Sequence, residues 1–223
     1  MVFDLPPLHF AREARPARGG SLRLVARGGA HDRCGLERAR ALGVIAGAAV
    51  RLANGRVAVG PRRRQASARS LGGAAEAPLQ LSDLLAAGVP LMLDLRGADP
   101  RLGRVLAGEL RAARAEVLVC SRTWWHLGPL RGMPGVEVMP TVASGRQLAA
   151  LLRRCDTEPL DGVVVADRLL TPQTAAALAA MARTLMAWPV DSPQEAERLA
   201  RWGVGAAITA RPEALAPALA AAA

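Results

Sequence analysis

The feature that most constrains the fold of this 223-residue chain is a regular alternation of short apolar segments with segments of helical pattern. Eight of the apolar segments have strand-like composition with little alternation of polar and apolar residues. That pattern is typical of parallel strands covered on both faces. They comprise residues 22–27, 44–52, 91–95, 116–121, 136–142, 162–166, 185–190 and 206–209.

Helix starts can be placed between these strands. Four segments open with a side chain that can cap a helix, two of them before a proline and two with the spacing of a capping box. They open at Asp99, Thr171, Ser144 and Ser192. Eight strand and helix units predict an α/β domain that closes as a (β/α)8 barrel, the TIM barrel, over residues 21–223. A doubly wound open sheet is the alternative.

Two segments do not fit the repeating pattern. Residues 1–20 are polar and rich in proline and arginine, and we predict that they form a loose extension. Residues 55–78 show no clear element. The barrel is therefore predicted to be a compact single domain, preceded by an extension.

The charge of the chain does not indicate a nucleic-acid partner, although the net charge is +10. Every basic residue is arginine, which indicates a bias of the whole composition and not a surface selected for phosphate contacts. The densest basic run, residues 62–64, has no aromatic residues between its arginines for base stacking. We predict no nucleic-acid contact.

Targeting signals and cysteine pairs are also missing from the sequence. No stretch approaches the ~20 apolar residues of a membrane span, and the first residues lack the apolar region of a secretory signal. We therefore expect no membrane span and a cytoplasmic location. Cys34, Cys120 and Cys155 lie far apart, which predicts neither a disulfide framework nor a zinc site.

The most specific pattern is residues 185–213, which read LMAWPVDSPQEAERLARWGVGAAITARPE. This segment resembles the seventh and eighth βα units of glycerophosphodiester phosphodiesterases, which read V-W-T-V-N, a capped helix and G-V-D-G-I-I-T-D-R-P. Residues 24–28 (LVARG) are similar to the opening I-A-H-R-G of that family, and residues 91–97 (LMLDLRG) to its L-N-I-E-I-K-G. The resemblance covers about residues 22–213.

The resemblance implies a metal-dependent phosphoric diester hydrolase of lipid metabolism. In that family carboxylates at the barrel mouth hold calcium or magnesium, and two histidines serve as acid and base. Most of these residues are missing here. The first histidine falls on Ala26, beside a retained Arg27, and the second falls near Gly60. The E-x-D metal pair falls on Gly47 and Ala49.

Only the third strand keeps a candidate metal ligand. Asp94 stands where the family has a metal-binding glutamate, and Arg96 stands where it has lysine. The aspartate of I-T-D falls on Ala210. The chain therefore resembles a degenerate member, for which we expect no metal cofactor.

We predict a pseudoenzyme that binds a small phosphate-bearing ligand or a partner at the barrel mouth. Arg27 and Arg96 are the predicted phosphate contacts, because guanidinium groups bind phosphate in a bidentate way. Trp188 matches a family position that lines the pocket, although packing in the core is an equal alternative. The arginines could instead form structural bridges with Asp94 and other acids.

The alternative is an active hydrolase of glycerophosphodiesters with a rearranged site. Its candidate residues would be His31 and Asp94, with Asp32 as a third candidate and magnesium or calcium bound at Asp94. Trp124, Trp125 and His126 form either an aromatic wall for a ligand or packing over the barrel. Asp167-Arg168 and Asp191 are predicted to be a surface pair and a helix cap.

Overall fold

The computed structural model describes residues 22–60, 79–153 and 159–221. The predicted extension (residues 1–20), Cys155 and most of the 55–78 segment lie outside these ranges. The strands are β1 (Arg23–Arg27), β2 (Ile45–Ala53), β3 (Arg56–Val59), β4 (Leu91–Leu95), β5 (Val117–Ser121), β6 (Val136–Val142), β7 (Leu160–Ala166), β8 (Ala182–Trp188) and β9 (Ala206–Thr209). The α-helices are α1 (Arg33–Ala41), α2 (Leu81–Ala86), α3 (Leu102–Ala113), α4 (Gly145–Leu152), α5 (Pro172–Met181), α6 (Pro193–Arg201) and α7 (Pro212–Ala221). Two 3-10 helices span Trp124–Leu130 and Asp167–Leu169.

Eight of these strands close into a parallel barrel. They follow the order β1, β2, β4, β5, β6, β7, β8 and β9, and the barrel closes because β9 pairs with β1. This topology confirms the (β/α)8 barrel and excludes the open sheet. All eight predicted strands are present, although β7 and β8 begin earlier than predicted, at Leu160 and Ala182.

A β-hairpin corrects the prediction that residues 55–78 lack an element. Strand β3 pairs antiparallel with the end of β2, from Val50↔Val59 to Ala53↔Arg56. Asn54 and Gly55 connect the two strands with φ angles of 50° and 76°. Two positive φ angles in an Asn-Gly pair are typical of a two-residue hairpin turn.

Strand residues alternate between the barrel interior and the layer beneath the helices. The interior is filled by the cluster Val25, Ile45, Met92, Leu118, Cys120, Met139, Val164, Met186 and Ala206. Their neighbours, such as Leu24, Leu93 and Val119, pack outward against the helices. Because side chains alternate along a strand, the residues two positions beyond this cluster face the mouth of the barrel.

Three of the four predicted caps are present, at Ser144, Thr171 and Ser192, each accepting a hydrogen bond from the backbone N–H three residues later. The fourth is wrong, because α3 begins at Leu102 and not at Pro100. Asp99 instead accepts hydrogen bonds from the backbone and the guanidinium of Arg101. Within the described ranges, no helix is long and apolar enough to cross a membrane.

Candidate functional site

The carboxyl ends of the barrel strands gather the polar residues singled out in the sequence. Arg27 ends β1, Asp94 is the penultimate residue of β4, and Trp188 ends β8. Ser121 and Thr209 end β5 and β9 at the same rim. These residues thus lie at one end of the barrel, the end at which active sites of this fold lie.

Asp94 and Arg96 form an ion pair in the mouth. Burial raises the pKa of the Asp94 carboxyl, which the charge and hydrogen bond of Arg96, the charge of Arg122 and a hydrogen bond from Cys120 oppose. The Cys120 thiol is fully buried, and burial raises its pKa well above the ordinary value. Burial thus outweighs the opposing effect of the two guanidinium groups, and the mouth disfavours ionisation of Asp94.

Arg122 belongs to this site, although the sequence analysis did not select it. It follows β5 as Arg96 follows β4, and the register Leu95↔Ser121 puts the two arginines side by side. The Arg122 guanidinium carbon lies 4.6 Å from the centroid of the Trp188 ring. This distance allows a cation–π contact, so Trp188 supports an arginine of the mouth while it also packs against the interior cluster.

The arginines of the mouth repel one another. Partial burial lowers the pKa of Arg122, the positive charges of Arg96 and Arg168 lower it further, and the negative charge of Asp94 opposes both. Arg168 donates a hydrogen bond to the carbonyl of Ala143, and this contact orients its guanidinium group. The mouth therefore holds three guanidinium groups, and two of them, Arg96 and Arg122, lie near the carboxylate of Asp94.

Arg27, the other predicted phosphate contact, is exposed at the end of β1. Within the described ranges, the Arg27 side chain makes no hydrogen bond or ion pair. The predicted structural bridge thus forms at Arg96 and is not seen at Arg27. The two arginines named from the sequence lie at one rim, but Arg122 is the residue in register with Arg96.

His31 and Asp32 lie in the loop between β1 and α1. The Nε2 atom of His31 accepts a hydrogen bond of 3.2 Å from the backbone N–H of Ala49, and the ring fits because Gly28 has no Cβ. Burial lowers the pKa of His31, against the opposing charge of Asp32. Asp32 caps α1 by accepting from the backbone N–H of Gly35 at 2.7 Å. Asp32 is therefore a helix cap, and His31 is a neutral ring bonded to the backbone.

The structure does not join His31 to Asp94. Ala49 lies in register with Asp94 on the neighbouring strand, so the histidine contacts the strand beside the carboxylate. No hydrogen bond between the two side chains is found in the described part of the chain. For acid–base catalysis at a metal site, the His31 and Asp94 side chains would both have to reach one bound ligand.

The aromatic segment after β5 divides into packed and exposed residues. Trp124 donates a 3.0 Å hydrogen bond to the carbonyl of Thr141, and His126 is fully buried with Nε2 3.0 Å from the carbonyl of Asp99. Trp125 is 66% exposed. Trp124 and His126 therefore pack over the barrel, which is one of the two predicted alternatives for this segment.

Asp191 is not the predicted helix cap. Its Oδ1 atom accepts hydrogen bonds of 2.9 Å from the hydroxyl of Thr209 and from the backbone N–H of Ala210, while Ser192 caps α6. The Asp191 carboxylate therefore fastens the loop after β8 to the end of β9. Its Oδ1 atom therefore has hydrogen-bond partners within the protein.

The residues present do not fit the divalent metal that the family resemblance implies. Within the described ranges, no group of three or more histidine, cysteine, aspartate or glutamate residues is arranged to hold a metal. Asp94 is paired with Arg96, and Ala49 and Ala210 offer no side-chain oxygen. A side chain at Gly47 would meet the carbonyl oxygen of Ala26 at 2.9 Å from its Cβ. The β1–β2 packing thus closes the position of a missing carboxylate.

Comparison with known proteins identifies the fold. No protein-family model and no curated protein matches the chain, but solved structures do. A glycerophosphodiester phosphodiesterase from Parabacteroides distasonis aligns with a TM-score of 0.70 at 18% identity, over 92% of this chain and 99% of that one. A phosphodiesterase from Oleispira antarctica, solved with the product sn-glycerol-3-phosphate, gives 0.64 at 13% identity over 90% and 97%. A glycerophosphodiester phosphodiesterase from Thermotoga maritima gives 0.62 at 12% identity over 87% and 97%. The chain has the fold of these phosphodiesterases, as the sequence motifs predicted.

Proposed function

We propose that this chain is a glycerophosphodiester phosphodiesterase-like barrel that binds a small phosphate-bearing ligand at its mouth, without metal and without hydrolysing it. The observation that carries the proposal is the cluster of Arg96, Arg122 and Arg168, in which Arg96 and Arg122 also lie near the carboxylate of Asp94. Guanidinium groups that repel one another gain from any anion placed between them. An anion site follows from that surplus of positive charge.

The contacts of Arg122 and Arg168 indicate that these side chains are held in place for binding. Trp188 lies under the Arg122 guanidinium and Ala143 accepts a hydrogen bond from Arg168, so both side chains are oriented before a ligand arrives. Positioned donors lose less side-chain entropy on binding than free ones. Arginine also presents a planar fork of N–H groups that matches two oxygens of a phosphate.

Hydrolysis has little support from the same residues. Losing a positioned acid or base costs on the order of 10² to 10⁴ in rate, and losing a metal removes several kcal/mol more of transition-state stabilisation. His31 is the remaining candidate base, and its Nε2 lone pair already accepts from Ala49. An active hydrolase built on His31 and Asp94 is the competing function.

A binding titration with matched variants tests the proposal. In buffer containing a chelator, calorimetry should show saturable binding of glycerol 3-phosphate to the wild type. Arg122→Ala should weaken it about 10- to 100-fold, because hydrogen bonds to charged groups contribute about 1.5 to 3 kcal/mol. Arg104→Ala is the control, since Arg104 is exposed on α3, in the layer of helices outside the barrel strands.

Two results would overturn the proposal. One is the absence of saturable binding by the wild type, or binding that Arg104→Ala weakens as much as Arg122→Ala. The other is turnover of glycerophosphocholine with added magnesium or calcium that His31→Ala abolishes, which would establish the hydrolase.

A further inference from the structure

The arrangement of Arg96 and Arg122 discriminates between two kinds of phosphate ester. We infer that the mouth selects phosphomonoester dianions over phosphodiester monoanions, an inference that rests on the proposed function. The site would then take ligands of the class that a phosphodiesterase releases, and it would reject the class that a phosphodiesterase cleaves.

Two separate guanidinium forks reach the mouth from adjacent strands. Arg96 and Arg122 follow the register pair Leu95↔Ser121, so they stand at the same level of the barrel. Arg122 is anchored over Trp188, 4.6 Å from the ring centroid, and Arg96 is anchored at Asp94. Because the anchors differ, the two forks are held in place independently of each other.

The number of terminal oxygens decides whether both forks can be used. Each fork binds a pair of oxygens on one phosphate. A phosphomonoester has three terminal oxygens and therefore offers several such pairs, so two forks can bind while sharing one oxygen. A phosphodiester has two terminal oxygens and offers one pair. The second fork would then face an ester oxygen, which is a weak acceptor.

The charge of the mouth favours the same class. Guanidinium groups outnumber the carboxylate that they surround, since Arg96 and Arg122 both lie near Asp94 and Arg168 lies near Arg122. A phosphomonoester carries about −1.5 to −2 charges at pH 7, and a diester carries one negative charge. Asp94 also competes with the ligand for Arg96, and a dianion competes with it more effectively than a monoanion.

A pair of ligands that differ by one methyl group tests the inference. Calorimetry in metal-free buffer would compare glycerol 3-phosphate with its methyl ester. In the methyl ester one terminal oxygen has become an ester oxygen and one negative charge is lost. At pH 7.5 we expect the monoester to bind at least tenfold more tightly. At pH 5 the preference should shrink, because the monoester takes up a proton near pH 6 while the charge of the methyl ester is constant.

Variants of Arg122 separate the fork from the charge. Arg122→Lys keeps the positive charge and loses the fork, so the preference for the monoester should fall while the monoester still binds. Arg122→Ala should remove most of the preference, and the melting temperature of each variant shows whether it is folded. Arg104→Ala should keep the full preference.

The outcomes of this test are distinct from those of the proposed function. Equal affinity of the wild type for both ligands, or a preference that Arg122→Lys leaves intact, would overturn the inference while an anion site remains. Binding of neither ligand would overturn the proposed function itself.

Discussion

Two Asp-x-Arg pairs lie five residues apart in this chain and behave in opposite ways. Asp94 pairs with Arg96 in the barrel mouth, and Asp99 pairs with Arg101 in the turn before α3. Burial raises the pKa of the Asp94 carboxyl, whereas hydrogen bonds from Arg101 lower the pKa of Asp99 to about 2. The same residue types at the same spacing thus give one carboxylate that resists ionisation and one that favours it.

Exposure of the side chain alone does not explain the difference. The exposed fractions are similar, 27% for the Asp94 side chain and 35% for that of Asp99. The amount of protein around each carboxylate differs, because Asp94 lies among barrel strands and against buried Cys120, while Asp99 lies on a turn. Desolvation depends on that wider surrounding. The Asp94–Arg96 pair is therefore a functional candidate, whereas the Asp99–Arg101 pair stabilises a local turn.

A raised pKa does not by itself mark a binding site. Burial and the nearby charge of Asp161 raise the pKa of Glu137 to about 7, against the opposing charges of Arg23 and Arg183. Glu137 lies near the start of β6, at the end of the barrel opposite to the mouth. Residues at that end of this fold contribute to stability. The mouth is distinguished by its surplus of arginine and not by a perturbed carboxyl.

The largest difference between the two pairs should appear when each arginine is removed. Arg96→Ala should destabilise the protein by about 1 to 2 kcal/mol at neutral pH, because it leaves a partly buried carboxylate with only Arg122 nearby. Arg101→Ala should cost much less, as most surface substitutions do. Urea unfolding of both variants measures the difference, and equal losses would show that the two pairs are energetically alike.

The sequence predicts Asp94 and Arg96 at the barrel mouth, but it predicts neither the Asp99–Arg101 pair nor the difference between the two pairs. Eight barrel strands could be located because buried parallel strands are short apolar runs, and three caps because their spacing is local. Strand β3 follows a recognisable hairpin turn at Asn54-Gly55, but as an antiparallel strand it lies outside the repeating pattern of parallel strands and helices that predicts the barrel. Arg122 was missed because its place beside Arg96 depends on the strand register, which no local pattern reveals.

The next largest effect concerns ligand affinity. Asp94→Asn should strengthen binding of glycerol 3-phosphate about fivefold, since it removes the carboxylate that competes for Arg96 and a charge contact of about 1 kcal/mol. Asp99→Asn should leave the affinity unchanged, because Asp99 lies outside the mouth. Calorimetry in metal-free buffer compares the two variants. Weaker binding by Asp94→Asn would mean that the carboxylate contributes to the ligand site and does not compete with the ligand.

The smallest expected effect is the response of each pair to pH. The pKa of Asp99 is held near 2, below the ordinary value of ~3.9 for aspartate. Its contribution to stability is therefore present above pH ~4 and is lost as the pH falls toward 2. The pKa of Asp94 is raised, so its ionisation opposes folding, and that cost grows as the pH rises above ~4.

The two asparagine variants should therefore diverge from the wild type in opposite directions. Urea midpoints measured at intervals from pH 3 to pH 7 should show Asp99→Asn falling further behind the wild type as the pH rises. Over the same range Asp94→Asn should gain on the wild type. The sign of each slope follows from which form of the carboxyl the folded protein prefers, and the comparison needs no absolute stability. Parallel curves for the two variants would mean that the barrel mouth solvates Asp94 as fully as the turn solvates Asp99, and the burial argument for the mouth would then fail.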